Sequence, residues 1–301
     1  MQHVTKLHRG RVSPPPGLQQ QGEPCMRKHL TTIILILLLL TGLSFLLYPT
    51  VSDWWNSLHQ SRAIAGYTEA VEGLDGESYE KWWEGARGYN EGLKYKPDRY
   101  RMTEGEKAEY EAQLNVAGNG IMGYIEIPGI KCSLPIYHGT DEAVLQVAVG
   151  HVSGSSLPVG GEGSHCVLSG HRGLPSAKLF TDLDQMGEGD LFMLHVLDET
   201  LAYEVDQITV VLPEEVNGLE LVEGEDYCTL VTCTPYGINT HRLLVRGKRT
   251  ENLSEEKPET VGDGAGKAGE EPPWPPYLWA VPILAAILIG AVIHRGKKRG
   301  K

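Results

Sequence analysis

The segment from Leu30 to Tyr48 limits the architecture of this chain more than any other. It is apolar almost throughout and carries no charge, and about 20 such residues cross a bilayer as a helix. Arg27 and Lys28 stand just before it, so the excess of positive charge on the cytoplasmic side places the N-terminus inside. No small-residue cleavage site stands out, so it reads as a retained anchor rather than a removed signal. A second apolar run, Tyr277 to Ile293, is followed by the basic His294-Arg-Gly-Lys-Lys-Arg-Gly-Lys301. Trp274, Tyr277 and Trp279 suit an interfacial aromatic belt for that span. Two transmembrane helices with cytoplasmic basic flanks leave everything between them outside. Residues 1–29 read as a cytoplasmic tail or, because Met26 would itself make a normal start, as an over-extended gene start.

Charge agrees with that topology. The formal net charge is −12, yet five Lys/Arg precede residue 30 and five follow residue 294, opposed there only by Glu23. Setting this terminal excess aside leaves about −21 on the segment between. Nucleic-acid binding needs a basic footprint and is not expected of so acidic a region.

Between the spans the texture changes several times. Ser52 to Leu93 is rich in helix formers and aromatics, which suits helices packed on a main body, with Ser78 and Glu80 near a helix start. Lys94 to Gln113 is polar without a sustained period. From Asn115 short strand-like runs follow one another: Met122 to Pro128, Leu134 to Tyr137, Cys166 to Ser169, Leu191 to Leu197, Leu201 to Val211, Tyr227 to Thr232 and Arg242 to Arg246. Asp198-Glu-Thr200 reads as a hairpin turn, and Asp141 to Val149 and Ala177 to Leu183 as short helical pieces. Roughly eight short strands with turn signals predict one all-β barrel or sandwich. The Glu/Gly/Pro-rich run after Thr250 reads as a disordered acidic linker.

The five cysteines are scattered and include no CxxC pair, so neither a disulfide framework nor a zinc site is indicated. Cys25 lies ahead of the anchor, and Cys132 and Cys166 resemble ordinary strand residues. Cys228 and Cys233 flank one strand, too far apart along it to bridge without distortion. Cys233 differs from the rest. The run Leu230-Val-Thr232 brings it to a strand end, and Pro235 and Gly237 stop the strand directly after. Such a position fixes a group on a rigid scaffold while leaving it accessible. On this segment alone, a buried core thiol and a nucleophile are equal readings.

A thiol nucleophile needs a lowered pKa or an adjacent imidazole, which then protonates the leaving amine. Ser169-Gly-His171-Arg-Gly173 closes another strand with a glycine on each side of a His-Arg pair. Arg242 begins a later strand and could present a fixed positive charge to a developing oxyanion. Of the other histidines considered, His165 and His195 sit within strand runs. His241 alternates to the face opposite Arg242. His138 and His151 are further rivals for the imidazole, and for any single histidine of this set a structural role is the plainer reading.

The residues Thr229-Leu-Val-Thr-Cys-Thr-Pro-Tyr236, Arg242 nine positions after the cysteine, and Ser169-Gly-His-Arg-Gly173 closely resemble the sortase signature. The resemblance runs from about Asn115 to Gly247. Asn115 to Pro128, Leu134 to Thr140 and Gly237 to Gly247 resemble the class C, pilin-polymerising branch, as does a C-terminal span. It implies a mainly β fold: an eight-stranded barrel with short helices, an N-terminal helical and lid region, and two flanking transmembrane helices. It implies Cys233 as nucleophile, His171 as general acid/base and Arg242 as oxyanion or carbonyl clamp. The implied reaction cleaves an LPxTG-like sorting signal between Thr and Gly through a thioacyl-enzyme and passes it to a pilin lysine, without a cofactor or metal. The implied partners are pilins or surface proteins with such signals, a lysine-bearing pilin acceptor and the membrane. A wall-anchoring enzyme using a peptidoglycan-precursor amine, or a non-catalytic scaffold for sorting signals, are the alternatives.

The expected organisation is therefore a tail (1–29), a span (30–48), the helical and lid region (49–114), the barrel (115–250), the linker (251–276), a second span (277–293) and a basic tail (294–301). One departure stands out. Class C members usually carry an Asp-Pro-aromatic lid motif, and here Tyr95-Lys-Pro-Asp-Arg-Tyr100 occupies its place. Either Asp98 and Tyr100 form a variant lid, or the enzyme is not gated in that way.

Overall fold

The computed structural model describes residues 26–215 and 218–251. The second span (277–293), its basic tail (294–301), and most of the linker (251–276) and of the N-terminal tail (1–29) lie outside the described residues. The chain divides into two compact units, Met1–Leu47 and Tyr48–Lys301.

Within its described residues the first unit is helical, the opening part of α1 (Met26–Glu72). Leu30, Ile33, Leu35, Leu38, Phe45 and Leu46 lie 52–78% exposed. A helix that is apolar on all sides yet unburied calls for a lipid surround. Among the described residues α1 alone is long and apolar enough to cross a membrane, by length and composition. It is consistent with membrane anchoring.

In the second unit α1 continues to Glu72, followed by α2 (Gly76–Leu93) and α3 (Glu104–Ala112). The helical reading of 52–93 holds, but the cap of α2 is Asp75, whose carboxylate accepts from the Ser78 N–H at 2.8 Å. α3 is absent from the sequence expectation. Its nine residues bury only Tyr110, so no apolar period announces it, and its start is set by a capping box between Thr103 and Glu106.

Eight strands close into a barrel: β1 (Ile121–Ile127), β2 (Cys132–His138), β3 (Val149–His151), β4 (Ser164–Ser169), β5 (Leu191–Val196), β6 (Glu199–Val211), β7 (Asp226–Thr234) and β8 (His241–Arg249), in the order β1-β2-β3-β4-β7-β8-β6-β5. Seven of these match the apolar runs. β3 is absent from the sequence expectation and begins at the last residue of the segment expected to be helical: α4 (Glu142–Leu145) stops early, and Val149–His151 pairs with β2 and β4. The expected helix over 177–183 is also corrected. Leu179 sits at φ +40, outside the helical region, and only a 3-10 turn forms at Leu183–Gln185. The hairpin turn falls at Leu197–Asp198, one residue earlier than expected.

Inward-facing residues of successive strands, among them Ile125, Ile136, Leu168, Phe192, Leu194, Leu230 and Val245, form the core. The N-terminal helices are tied to it by buried polar groups. The Tyr67 hydroxyl donates to the Met122 carbonyl at 3.0 Å and accepts from the Leu197 N–H at 2.8 Å, while the Trp83 indole N–H donates to Asp198 at 2.9 Å.

Candidate active site

Two of the barrel's pairings are parallel, β2 with β3 and β4 with β7. In the β4–β7 pair, Ser164 faces Asp226 and the register runs without a shift to Ser169 opposite Val231. Continuing that register two residues past the ladder sets His171 level with Cys233. On the other side of β7, Cys233 is the direct partner of Arg242 in β8. The three sequence candidates thus fall on one rung across adjacent strands, which lie about 4.8 Å apart.

Parity puts them on one face. Cys166, Leu168, Cys228, Leu230, Leu243 and Val245 belong to the core, so the alternate positions Ser169, Val231, Cys233, Arg242 and Leu244 turn outward. His171 continues the outward set. Only Cys233 among the four described thiols combines this face with a strand end. Cys166 and Cys228 are register partners inside the barrel, where burial and the Cys166 thiol beside it push Cys228 far up. Burial and the Asp182 carboxylate push the Cys132 thiol up to about 12, although the neighbouring Lys178 opposes them.

Close packing shapes the His171 loop. A Cβ at Gly170 would lie 2.7 Å from the buried Phe180 ring, so the chain approaches that ring only as glycine. The Phe180 N–H donates to the His171 carbonyl at 3.1 Å. The His171 side chain is 28% exposed, and its Nε2 lies 3.9 Å from Glu142 Oε2 on α4. That Nε2 has no hydrogen-bond partner among the described residues. Glu142 is itself held from its other oxygen by Gln146. Its place beside the imidazole is not legible in the sequence, where 141–149 predicts only a short helical piece. Arg242 Nη1 donates to the carbonyls of Asn239 and His241 at 3.3 and 3.1 Å. A guanidinium carries five N–H donors, so capacity is left for another acceptor beside the thiol.

Four of the rival histidines have structural partners. His165 hydrogen-bonds Thr229 Oγ1 at 2.7 Å, His195 lies 3.1 Å from Glu126, His151 is fully buried against Tyr110, and His138 meets the Gly120 and Gln113 carbonyls.

Below the Cys233–Arg242 rung, the outward faces of β6, β7 and β8 floor a groove of about 250 Å³ lined by Gln207, Thr209, Val211, Gly218, Thr229, Leu244 and Arg246. Val211 is the register partner of Arg242, so the groove leads to the thiol. A larger cavity of about 340 Å³, bordered by Tyr67, Tyr79, Tyr124 and His195, contains none of the three candidates.

Asp98 and Tyr100 are not brought to this rung. The Tyr100 Cα would lie 3.0 Å from a Cβ on Gly154, and both Arg99 Nη2 (2.8 Å) and the Tyr100 hydroxyl (3.4 Å) donate to the Leu219 carbonyl. The next carbonyl, Glu220, meets His165 Nδ1 at 2.9 Å, and His165 is level with Tyr227. Six residues of β7 separate that level from Cys233, about 20 Å of strand. Asp98 instead lies 3.7 Å from Arg101 at the surface. The segment meets the β6–β7 loop there, next to Gly218 of the groove, rather than the Cys233 rung.

Residues 125–250 match the family model of the sortase domain. Among solved structures, sortase C1 of Streptococcus agalactiae is 51% identical, with 64% of this chain and 99% of that chain covered and a TM-score of 0.62. Streptococcus pneumoniae sortase C, described in connection with pilin substrate specificity, is 45% identical (62% and 96% covered, TM-score 0.55). Clostridium perfringens sortase C, solved with the C-terminal cell wall sorting motif, is 43% identical (63% and 98% covered, TM-score 0.55).

Proposed function

The chain belongs to the sortase family of cysteine transpeptidases, in its class C branch, and on that premise we propose that Cys233, His171 and Arg242 catalyse the joining of pilin subunits. The observation that carries the assignment is the Cys233–Arg242 pair of β7 and β8, with His171 two residues past the end of β4 and, by the β4–β7 register, level with the thiol.

The groove below the rung suits an extended peptide. Five residues in that conformation cover about 16 Å, and Val211, Leu244 and Thr209 offer an apolar and hydroxylic bed for an LPxTG-like signal. The Cys233 sulfur attacks the threonine carbonyl carbon as its thiolate. Arg242 lies on the adjacent strand to receive the oxygen as negative charge develops. Collapse of that intermediate breaks the Thr–Gly C–N bond, and His171 delivers the proton to the departing glycine nitrogen. The thioester retains the acyl group until a lysine amine attacks it. That amine's proton passes to His171, an isopeptide bond forms, and the thiolate leaves. The thioester conserves the energy of the cleaved amide, so no nucleotide is consumed. The same reading keeps both termini cytoplasmic, with a second span at 277–293 and the barrel outside.

The test uses the full chain in detergent, an LPxTG-like peptide and a lysine-bearing pilin. A mass adduct of the cleaved peptide on Cys233, absent from Cys233→Ala, followed by a lysine-linked product, is the expected result. An adduct resolved only by a peptidoglycan-precursor amine would replace pilin polymerisation with wall anchoring. No adduct at all would leave a binding scaffold.

A further inference from the structure

The paired ladder of β4 and β7 ends at Ser169 opposite Val231, and one further backbone bond runs from the Gly170 N–H to the Val231 carbonyl at 3.1 Å. The rung of His171 and Cys233 lies beyond it, where no backbone bond sets the spacing of the two strands among the described residues. Side chains close the rungs on either side. Below, the Thr232 hydroxyl donates to the Gly170 carbonyl at 2.8 Å. Above, Arg172 Nη1 donates to Thr234 Oγ1 at 3.2 Å. These pairs, 170 with 232 and 172 with 234, keep the 62-residue separation of the ladder.

Arg172 is built into the mouth of the barrel. Its side chain is 8% exposed, and its Nη2 is ion-paired with Asp184 in the β4–β5 connection. Its guanidinium carbon lies 5.8 Å from the centre of the Tyr236 ring in the β7–β8 loop. Gly173 leaves room for that ring, since a Cβ there would stand 3.0 Å from it. A buried guanidinium is tolerated when donors are matched, and here Nη1 and Nη2 are matched by Thr234, the last residue of β7, and by Asp184, while Nε has no hydrogen-bond partner among the described residues. Its position in the alternation turns it away from the outward face of His171 and Cys233.

We infer that Arg172 is a positioning residue, which holds His171 level with Cys233 by side-chain bonds where the backbone ladder has stopped. It touches no reacting atom and acts through the imidazole next to it in sequence. The inference rests on His171 and Cys233 being the catalytic pair. Lysine in its place keeps the charge but is a point donor without the planar fork that reaches Asp184 and Thr234 together.

The experiment compares the full chain in detergent with Arg172→Lys, Arg172→Ala, Asp184→Asn and His171→Ala. Turnover of a sorting-signal peptide onto a lysine acceptor is measured per folded molecule, alongside the melting temperature. Misplacing a catalytic group by about 1 Å costs on the order of 100-fold. Arg172→Lys should therefore lose about that much kcat while the peptide KM stays within about twofold. Asp184→Asn should fall in the same direction by less. Added guanidinium ion should restore turnover to Arg172→Ala and not to His171→Ala. A purely structural role would lower the melting temperature and leave kcat per folded molecule intact. The inference is overturned if both Arg172 variants that fold, or Asp184→Asn where neither folds, keep kcat within about twofold of wild type. Should His171→Ala retain turnover, the catalytic pairing itself fails instead.

Discussion

Replacing Thr232 with valine removes one hydroxyl at nearly constant shape, and the structure sets the size of the effect. Thr232 is 2% exposed, and its Oγ1 donates to the carbonyl of the buried Gly170 at 2.8 Å. The substitution deletes that bond and strands a buried acceptor, at a cost of about 1–3 kcal/mol. Valine restores the packing, so no cavity cost is added. In a folded unit of this size 1 kcal/mol corresponds to about 2–4 °C, so a loss of about 2 kcal/mol lowers the melting temperature by about 4–8 °C. Because Gly170 immediately precedes His171, turnover should fall as well, with peptide affinity held. Thermal unfolding of the full chain in detergent, followed by circular dichroism and paired with steady-state kinetics, reads both quantities. A melting temperature within about 1 °C of wild type, together with unchanged kcat, would mean that water serves the Gly170 carbonyl and that this bond does not fix the loop.

Three further outcomes are expected. Arg242→Gln removes the charge beside Cys233 and should lower kcat about 100–1000-fold, the usual loss for an oxyanion donor, while thiol labelling at Cys233 persists; unaltered turnover would exclude the role. Tyr100→Ala should leave the rate of Cys233 alkylation unchanged, since Tyr100 is anchored near Gly154 and Leu219; accelerated labelling would restore a lid at that segment. Hydrogen bonding and charge from Lys96, with two bonds from Thr103, hold the Glu106 carboxyl down at about 2 from its usual 4.5. Its contribution to α3 is therefore complete above pH 4.5 and lost as pH falls toward 2. Glu106→Gln should flatten the acid dependence of the melting temperature across that window, and an unchanged slope would assign it to other carboxylates.

Much of the chemistry was readable before the fold was known, because its residue types sit at strand ends marked by turn residues. Cys233 precedes Pro235 and Gly237, and His171 stands between Gly170 and Gly173. Their mutual placement was not readable. It depends on β4 and β7 being parallel neighbours with a complete hairpin intervening, and no local pattern encodes a crossover of that length. β3 escaped detection because Val-Gly-His is too short to show alternation, and α3 because its stability comes from a cap rather than an apolar stripe. Arg172 was visible only as the neighbour of a histidine. Its role follows from Thr234 and Asp184, which the fold alone brings to it. The surroundings of Arg99 and Tyr100 were hidden for a similar reason, since Leu219 and Gly154, which they meet, are distant in sequence.

The unshifted register of β4 against β7 also sorts the chain by tolerance to insertion. One residue added within 164–171 or 226–233 would invert the phase of everything beyond it and swing His171 or Cys233 toward the barrel interior. Residues added to the connections around β5 and β6, or to the β6–β7 loop, leave that phase untouched. The barrel thus confines its length-critical code to two short stretches. The β6–β7 loop bordering the groove can change length without shifting that phase, whereas the β4–β5 connection must still deliver Asp184 to Arg172.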